Sequence, residues 1–167
     1  FKIIDISSFE LCILLLSSLI IILTGIIDDF KGITAFNKFF FQIIASIILV
    51  VGTKDLQFVD WPFSDYFNSN IYNSLLSIFY IVSILNAMNL IDGLDGLAGG
   101  VSIIITIFFI ILSTLSGIMI SDLYILYILL GSLLAFIIYN KPPAKTFLGD
   151  SGSLFIGWGF SIVSLFY

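Results

Sequence analysis

Six long apolar runs, separated by short polar connections, constrain this chain more than any other feature. They fall at roughly Phe9–Ile27, Phe36–Gly52, Ile71–Ile91, Leu97–Ile120, Leu123–Asn140 and Ser153–Tyr167. A hydrocarbon core about 30 Å thick is crossed by about 20 residues of helix. Inside lipid only helices and closed barrels satisfy every backbone polar group. Barrel strands would show apolar/polar alternation over about 10 residues, whereas these runs are continuous. Charged residues make up only 10% of the chain, against about 25% in soluble domains, and the mean hydropathy is +1.21. The expected fold is therefore an all-α polytopic membrane protein, with about six transmembrane helices. The run 36–52 is short, and is expected to tilt little or to thin the bilayer locally.

If each run crosses once, the connections alternate sides. Loops 28–35, 92–96 and 141–152 fall on one face, and 53–70 and 118–122 on the other with the start of the chain. Lys31, Lys38, Lys141 and Lys145 lie on the first face, Lys2 and Lys54 on the second. The excess of Lys on cytoplasmic loops places the first face in the cytoplasm. Trp61, Pro62, Phe63, Tyr66 and Phe67 give the opposite loop aromatic side chains suited to the membrane interface.

Composition also narrows the chemistry. The net charge is −5, with six Lys, no Arg and no His. Nothing suggests a nucleic-acid surface, and His-ligated metal and His acid–base chemistry are excluded over this stretch. A metal would need oxygen ligands, which suits Mg²⁺ or Mn²⁺. The single cysteine, Cys12, permits no internal disulfide and reads as small apolar filler.

Three polar clusters interrupt the apolar pattern, all on the expected cytoplasmic face. The first is Asp28-Asp29 at the end of the first run. Adjacent carboxylates repel unless a cation or a proton is shared between them; the plain alternative is a solvated helix end partly neutralised by Lys31. The second is Asn86-Ala-Met-Asn89-Leu-Ile-Asp92-Gly-Leu-Asp95-Gly-Leu-Ala98. Asn86, Asn89 and Asp92 follow at i, i+3 and i+6, which stacks them on one helix face. Here the plain alternative is that Asp95 caps the next helix and the Asn amides hold helices together. The third runs from Asn140 through Lys141-Pro142-Pro143 to Phe147-Leu-Gly-Asp150-Ser-Gly-Ser153. Pro142 and Pro143 stop the fifth helix, and Ser151 or Ser153 is placed to cap the sixth, whose N-terminal amides favour an anion. Five carboxylates, several amides and cytoplasmic lysines without His suit a divalent cation holding a diphosphate beside the membrane.

In this order, Asp28-Asp29, the 86–98 stretch and Phe147-Leu-Gly-Asp150-Ser-Gly-Ser153 resemble the polyprenyl-phosphate N-acetylhexosamine-1-phosphate transferases (glycosyltransferase 4; the MraY- and WecA-like enzymes). The resemblance covers nearly the whole chain and is more similar to the WecA or teichoic-acid type. It implies an Mg²⁺-dependent phosphoglycosyltransferase, with Mn²⁺ as the alternative ion. Such an enzyme transfers a sugar 1-phosphate from a UDP-amino sugar to polyprenyl (undecaprenyl) phosphate and releases UMP. This initiates cell-envelope glycan synthesis at the cytoplasmic face of a bacterial inner membrane. The expected partners are the UDP-amino sugar, the lipid phosphate and the membrane, with a homodimer as the oligomeric alternative.

By the same resemblance, Asp28 deprotonates or positions the lipid phosphate, with Asp29 beside it near metal and phosphates. Asp150 is the main Mg²⁺ ligand and Asn89 an amide at the metal. Asp92 and Asp95 line the nucleotide and phosphate site, with Asn86 in the same motif as a substrate-binding residue, and Lys38 stands near the diphosphate. Asn140 and Phe147 meet the nucleotide, Phe147 by stacking on uracil. Residues 1–167 are expected to be one transmembrane catalytic domain fragment of a larger helical bundle. The family's first helices and its later His-containing loop are not in this sequence. Three other classes fit less well. An intramembrane aspartyl protease would need Gly-x-Gly-Asp, and Phe147 stands where the first Gly belongs. A CDP-alcohol phosphotransferase would need Asp-Gly-x-x-Ala-Arg, which Asp95-Gly-Leu-Ala-Gly is not. A transporter would hold its carboxylates near the midplane, not at run ends.

Overall fold

A computed structural model describes residues 7–53, 70–117 and 123–166. Six helices follow in order: α1 (Ser8–Lys31), α2 (Ala35–Gly52), α3 (Asn70–Ile91), α4 (Leu97–Leu115), α5 (Tyr124–Asn140) and α6 (Gly149–Phe166). There is no strand among the described residues. The all-helical polytopic expectation holds, and α1–α4 are each long and apolar enough to cross a membrane. α5 is apolar but has 17 residues. Large apolar side chains such as Leu15, Leu19, Leu23, Phe79, Ile104, Phe108 and Ile128 stand exposed along these helices. In water such surfaces would aggregate; in lipid they are the solvated face. The aromatic loop with Trp61 and Tyr66, together with Lys2 and Lys54, lies outside the described residues.

Local chemistry sets the helix ends. Ser7 and Glu10 form a reciprocal capping box at the start of α1. The helix continues into the expected 28–35 loop as far as Lys31, so Asp28 and Asp29 sit in its last turn. Gly32, with φ 67°, then turns the chain, and Thr34 caps α2 by accepting from the Asn37 amide. α6 begins at Gly149, four residues before the run 153–167 that hydropathy marks.

Residues 7–89 and 149–166 form one compact unit and residues 90–148 a second. In the first, α1 packs on α2 and on α6. Its core joins Ile21, Ala45, Leu49, Val50, Ile81, Leu85, Leu154, Ile162 and Leu165. Buried hydroxyls mostly return to their own helix, as Ser46 does to the Gln42 carbonyl and Thr24 to that of Ile20. Tyr80 reaches across from α3 and donates to Ser164 of α6. In the second unit α4 packs on α5, with Gly99 against Phe136 and Ile137.

Gly157 sets how closely α6 approaches α3. A Cβ there would lie 3.0 Å from the Leu85 Cα and 3.2 Å from the Ile84 carbonyl oxygen, both backbone atoms that cannot move aside. Small residues of this kind let membrane helices touch along their backbones. Gly157→Val is expected to destabilise the protein by about 1–3 kcal/mol, read as a lower unfolding midpoint in detergent, whereas Gly159→Ala, at a site open to space, leaves the midpoint nearly unchanged.

Candidate active site

The first unit gathers four helix ends around one ammonium. Lys38, in the first turns of α2, places its Nζ 2.8 Å from Asp28 Oδ2 of α1 and 2.6 Å from Asp150 Oδ2 of α6. The same ammonium donates to Asn89 Oδ1 of α3 at 2.9 Å. The Asp28 and Lys38 side chains are only 13% exposed. Burial at this level makes each charge dependent on the others, because removing one partner leaves an uncompensated ion. Asn89 completes the ring by donating from Nδ2 to Asp150 Oδ1 at 2.5 Å and to Ser153 Oγ at 3.0 Å. Asp28 Oδ1 accepts from the Ile33 amide, which fixes that carboxylate on the turn following α1.

One helical turn along α2 and α3, a second polar rung supports the first. Asn86 Nδ2 donates to Gln42 Oε1 at 2.7 Å and to the Val82 carbonyl at 2.8 Å. Asn86 and Asn89 thus do share one face, and that face meets Lys38 and Gln42, which are themselves four residues apart. Asn86 acts here as an interhelical tie. Gln42 was not among the sequence candidates; a fully buried amide four residues from Lys38 in an apolar helix is the signal that marks it.

The two carboxylate oxygens of Asp29 accept from the backbone amides of Asp150 at 2.8 Å and Ser151 at 3.1 Å. The expected caps, Ser151 and Ser153, lie inside α6; Ser153 instead receives Asn89 and donates to the Asp150 carbonyl.

The second unit carries the remaining candidates. Gly96, in left-handed conformation, is the N-cap of α4, and no side chain caps it. Asp95 is therefore not a helix cap. Its Oδ2 accepts from the Ala144 amide at 3.0 Å, across to the loop that follows α5. Asn140 is 3% exposed; its Oδ1 accepts from the Gly96 amide and its Nδ2 donates to the Thr146 carbonyl. Both ends of that amide hold backbone, so Asn140 shapes the 141–148 loop from within. Phe147 in this loop is 73% exposed. Asp92 lies just past the end of α3, half-buried.

Among the described residues no three His, Cys, Asp or Glu side chains come together as a ligand group. What converges is two carboxylate oxygens and one amide oxygen, all on the Lys38 nitrogen. This is an oxygen-only set of the kind a hard divalent cation takes.

Asn140→Ala removes the bond to the Thr146 carbonyl in the 141–148 loop and the bond from the Gly96 amide to the end of α5, each worth about 0.5–1.5 kcal/mol. Limited proteolysis is expected to cut between Lys141 and Leu148 faster in Asn140→Ala than in the wild type. Asp95→Ala, which frees one amide, gives a smaller increase.

The family model described as "Glycosyl transferase family 4" matches residues 11–167. A probable undecaprenyl-phosphate N-acetylglucosaminyl 1-phosphate transferase of Bacillus subtilis is 40% identical over 147 residues, covering 87% of this chain and 41% of the relative. A phospho-N-acetylmuramoyl-pentapeptide-transferase of Carboxydothermus hydrogenoformans is 33% identical over 166 residues, with 87% of this chain and 50% of the relative covered. One from Lactobacillus delbrueckii subsp. bulgaricus is 34% identical over 156 residues, covering 85% and 48%. The chain thus spans about half or less of the length of these curated relatives. Nothing in these matches supports a protease or a transporter. With six helices among the described residues, four of them long and apolar enough to cross a membrane, and a family match over nearly all its length, this chain belongs to glycosyl transferase family 4.

Proposed function

We propose that residues 1–167 belong to one transmembrane catalytic domain that transfers an N-acetylhexosamine 1-phosphate from a UDP-sugar to polyprenyl phosphate, at the cytoplasmic face of a bacterial cell membrane. The observation that carries this reading is the convergence of Asp28, Asn89 and Asp150 oxygens on one half-buried cation, within a family whose relatives are named for this type of transfer.

In the reaction, an oxygen of the lipid phosphate forms a bond to the sugar-bearing phosphorus while the bond from that phosphorus to the UMP oxygen breaks. One phosphoanhydride is made for each one lost, so the exchange is close to thermoneutral and reversible. The barrier lies in bringing two anions together, and catalysis is positioning and charge neutralisation. Asp28, held by Ile33 and Lys38, orients the lipid phosphate or accepts its remaining proton. Lys38 carries the positive charge that a diphosphate needs, and its long stem lets the ammonium move from the carboxylates to a phosphate oxygen. The donor set fits Mg²⁺ or Mn²⁺, with Asp150 and Asn89 as holders; when bound, such an ion neutralises charge building on the diphosphate oxygens. Ser153 and Gln42 with Asn86 keep Asn89 in place. In the second unit the exposed Phe147 ring is offered to uracil, and Asp92 and Asp95 border the nucleotide and its phosphates.

In membranes carrying the full-length protein, Asp150→Asn is expected to reduce Mg²⁺-dependent UMP release from UDP-N-acetylglucosamine and undecaprenyl phosphate by about 100-fold or more. Retained activity would remove Asp150 from the reacting set. Sidedness is checked separately in a Cys12→Ser background. Cysteines at Lys31 and Lys145 are expected to react with a membrane-impermeant thiol reagent only from the cytoplasmic side, and a cysteine at Lys54 only from the opposite side.

A further inference from the structure

Asp28 and Asp29 are consecutive on α1, yet their carboxylates serve different partners. Asp28 faces the Lys38 ammonium. Asp29 lays both oxygens on the first amides of α6, at 2.8 and 3.1 Å, and those amides belong to Asp150 and Ser151. The first amides of a helix have no partner within it. A carboxylate on these amides satisfies two of them and sits favourably at the positive end of the helix dipole. α6 begins with Gly149, and Ser151 and Ser153, the nearby side chains of capping type, lie inside the helix. The cap is supplied from another helix.

A second observation shows that α1 is shaped to deliver it. Gly25 lies four residues before Asp29, on the same face of α1. A Cβ at Gly25 would stand 2.6 Å from the Ser151 nitrogen and 2.8 Å from the Asp150 carbonyl carbon. Those are backbone atoms, so any side chain at 25 would push the start of α6 away. Gly25 brings the two backbones into contact, and Asp29 binds them one turn further on.

We propose that Asp29 is a positioning residue for the transfer reaction: by capping α6 from α1 it fixes where the Asp150 carboxylate points, and it neither moves a proton nor holds metal or phosphate. This rests on the reading of the reaction given above. The two adjacent aspartates are then a reacting group and a clamp, divided by the turn of the helix between them. The proposal also accounts for α6 starting ahead of its apolar run, since an outside carboxylate receives the amides of Asp150 and Ser151 in its first turn.

The test compares Asp29→Asn, Asp29→Ala and Gly25→Ala in the full-length protein, by amide hydrogen exchange over residues 148–153 and by UMP release. Asp29→Ala is expected to speed exchange there by about tenfold or more, with a matching fall in kcat and little change in KM for the UDP-sugar. Asp29→Asn keeps one of the two acceptor oxygens and sets an NH₂ group against the other amide, so its exchange rate and kcat should fall between those of the wild type and Asp29→Ala. Gly25→Ala, which alters no ionisable group, should reproduce the exchange and kcat defects, and adding it to Asp29→Ala should worsen them little. Should Asp29→Ala fail to accumulate, Asp29→Asn and Gly25→Ala decide the matter by the same two readouts. Asp29→Asn as inactive as Asp29→Ala, with exchange over 148–153 like wild type in both, would overturn the proposal and return Asp29 to the reacting set. A wild-type protein that releases no UMP would overturn the reaction reading, while the exchange comparison would still decide whether Asp29 clamps α6.

Discussion

One ammonium, on Lys38, joins the ends of four helices. It holds a carboxylate from α1, an amide from α3 and a carboxylate from α6 while itself standing on α2. Apolar contact between membrane helices is weakly selective, because lipid tails are as good a partner as leucine. Polar contacts in this setting are the ones that fix register. In the first unit they are concentrated at one end, and the apolar core of Ile21, Leu49, Leu85 and Leu154 runs away from that end between the same helices. The cluster is therefore both a candidate reaction centre and the point from which the packing of α1, α2, α3 and α6 is registered.

Much of this was legible from residue order. Apolar run length gives six helices, and the placement of polar motifs at run ends gives their grouping. The i, i+3 spacing of Asn86 and Asn89 puts both on the face that meets α2. What the sequence could not show is how each polar group divides its bonds. Asp29 looks like a twin of Asp28, yet a rotation of about 100° per residue along a helix sends its carboxylate to a different neighbour. The two backbone groups that Asn140 holds, the Gly96 amide and the Thr146 carbonyl, are equally hidden, because nothing in the sequence reveals which groups lie opposite it. Asp95, preceding a Gly, looks like a cap, but the left-handed Gly96 takes that position and leaves Asp95 to the Ala144 amide. Gln42 carries no motif, being one amide in an apolar run, and its role appears only with Asn86 beside it.

The start of α6 shows the same limit from the other direction. Hydropathy places the boundary near Ser153, and local rules offer serine caps. The helix begins at Gly149, and the amide of Asp150 in its first turn is received by a residue 121 positions earlier in the chain. A helix boundary is usually treated as a local property, and here it is a tertiary one.

The first unit is also discontinuous: residues 7–89 and 149–166 enclose the whole of the second unit in the chain. During synthesis, α1, α2 and α3 enter the membrane carrying Asp28, Lys38 and Asn89, while Asp150 is still about sixty residues from being made. Until then the ammonium has one carboxylate partner, and the Asp29 carboxylate has no helix to receive it. The centre is completed only when α6 arrives, so α4 and α5 must be handled by the insertion machinery before the site can form. A polar centre that closes last keeps its charges in contact with water during insertion and withdraws them only when every partner is present.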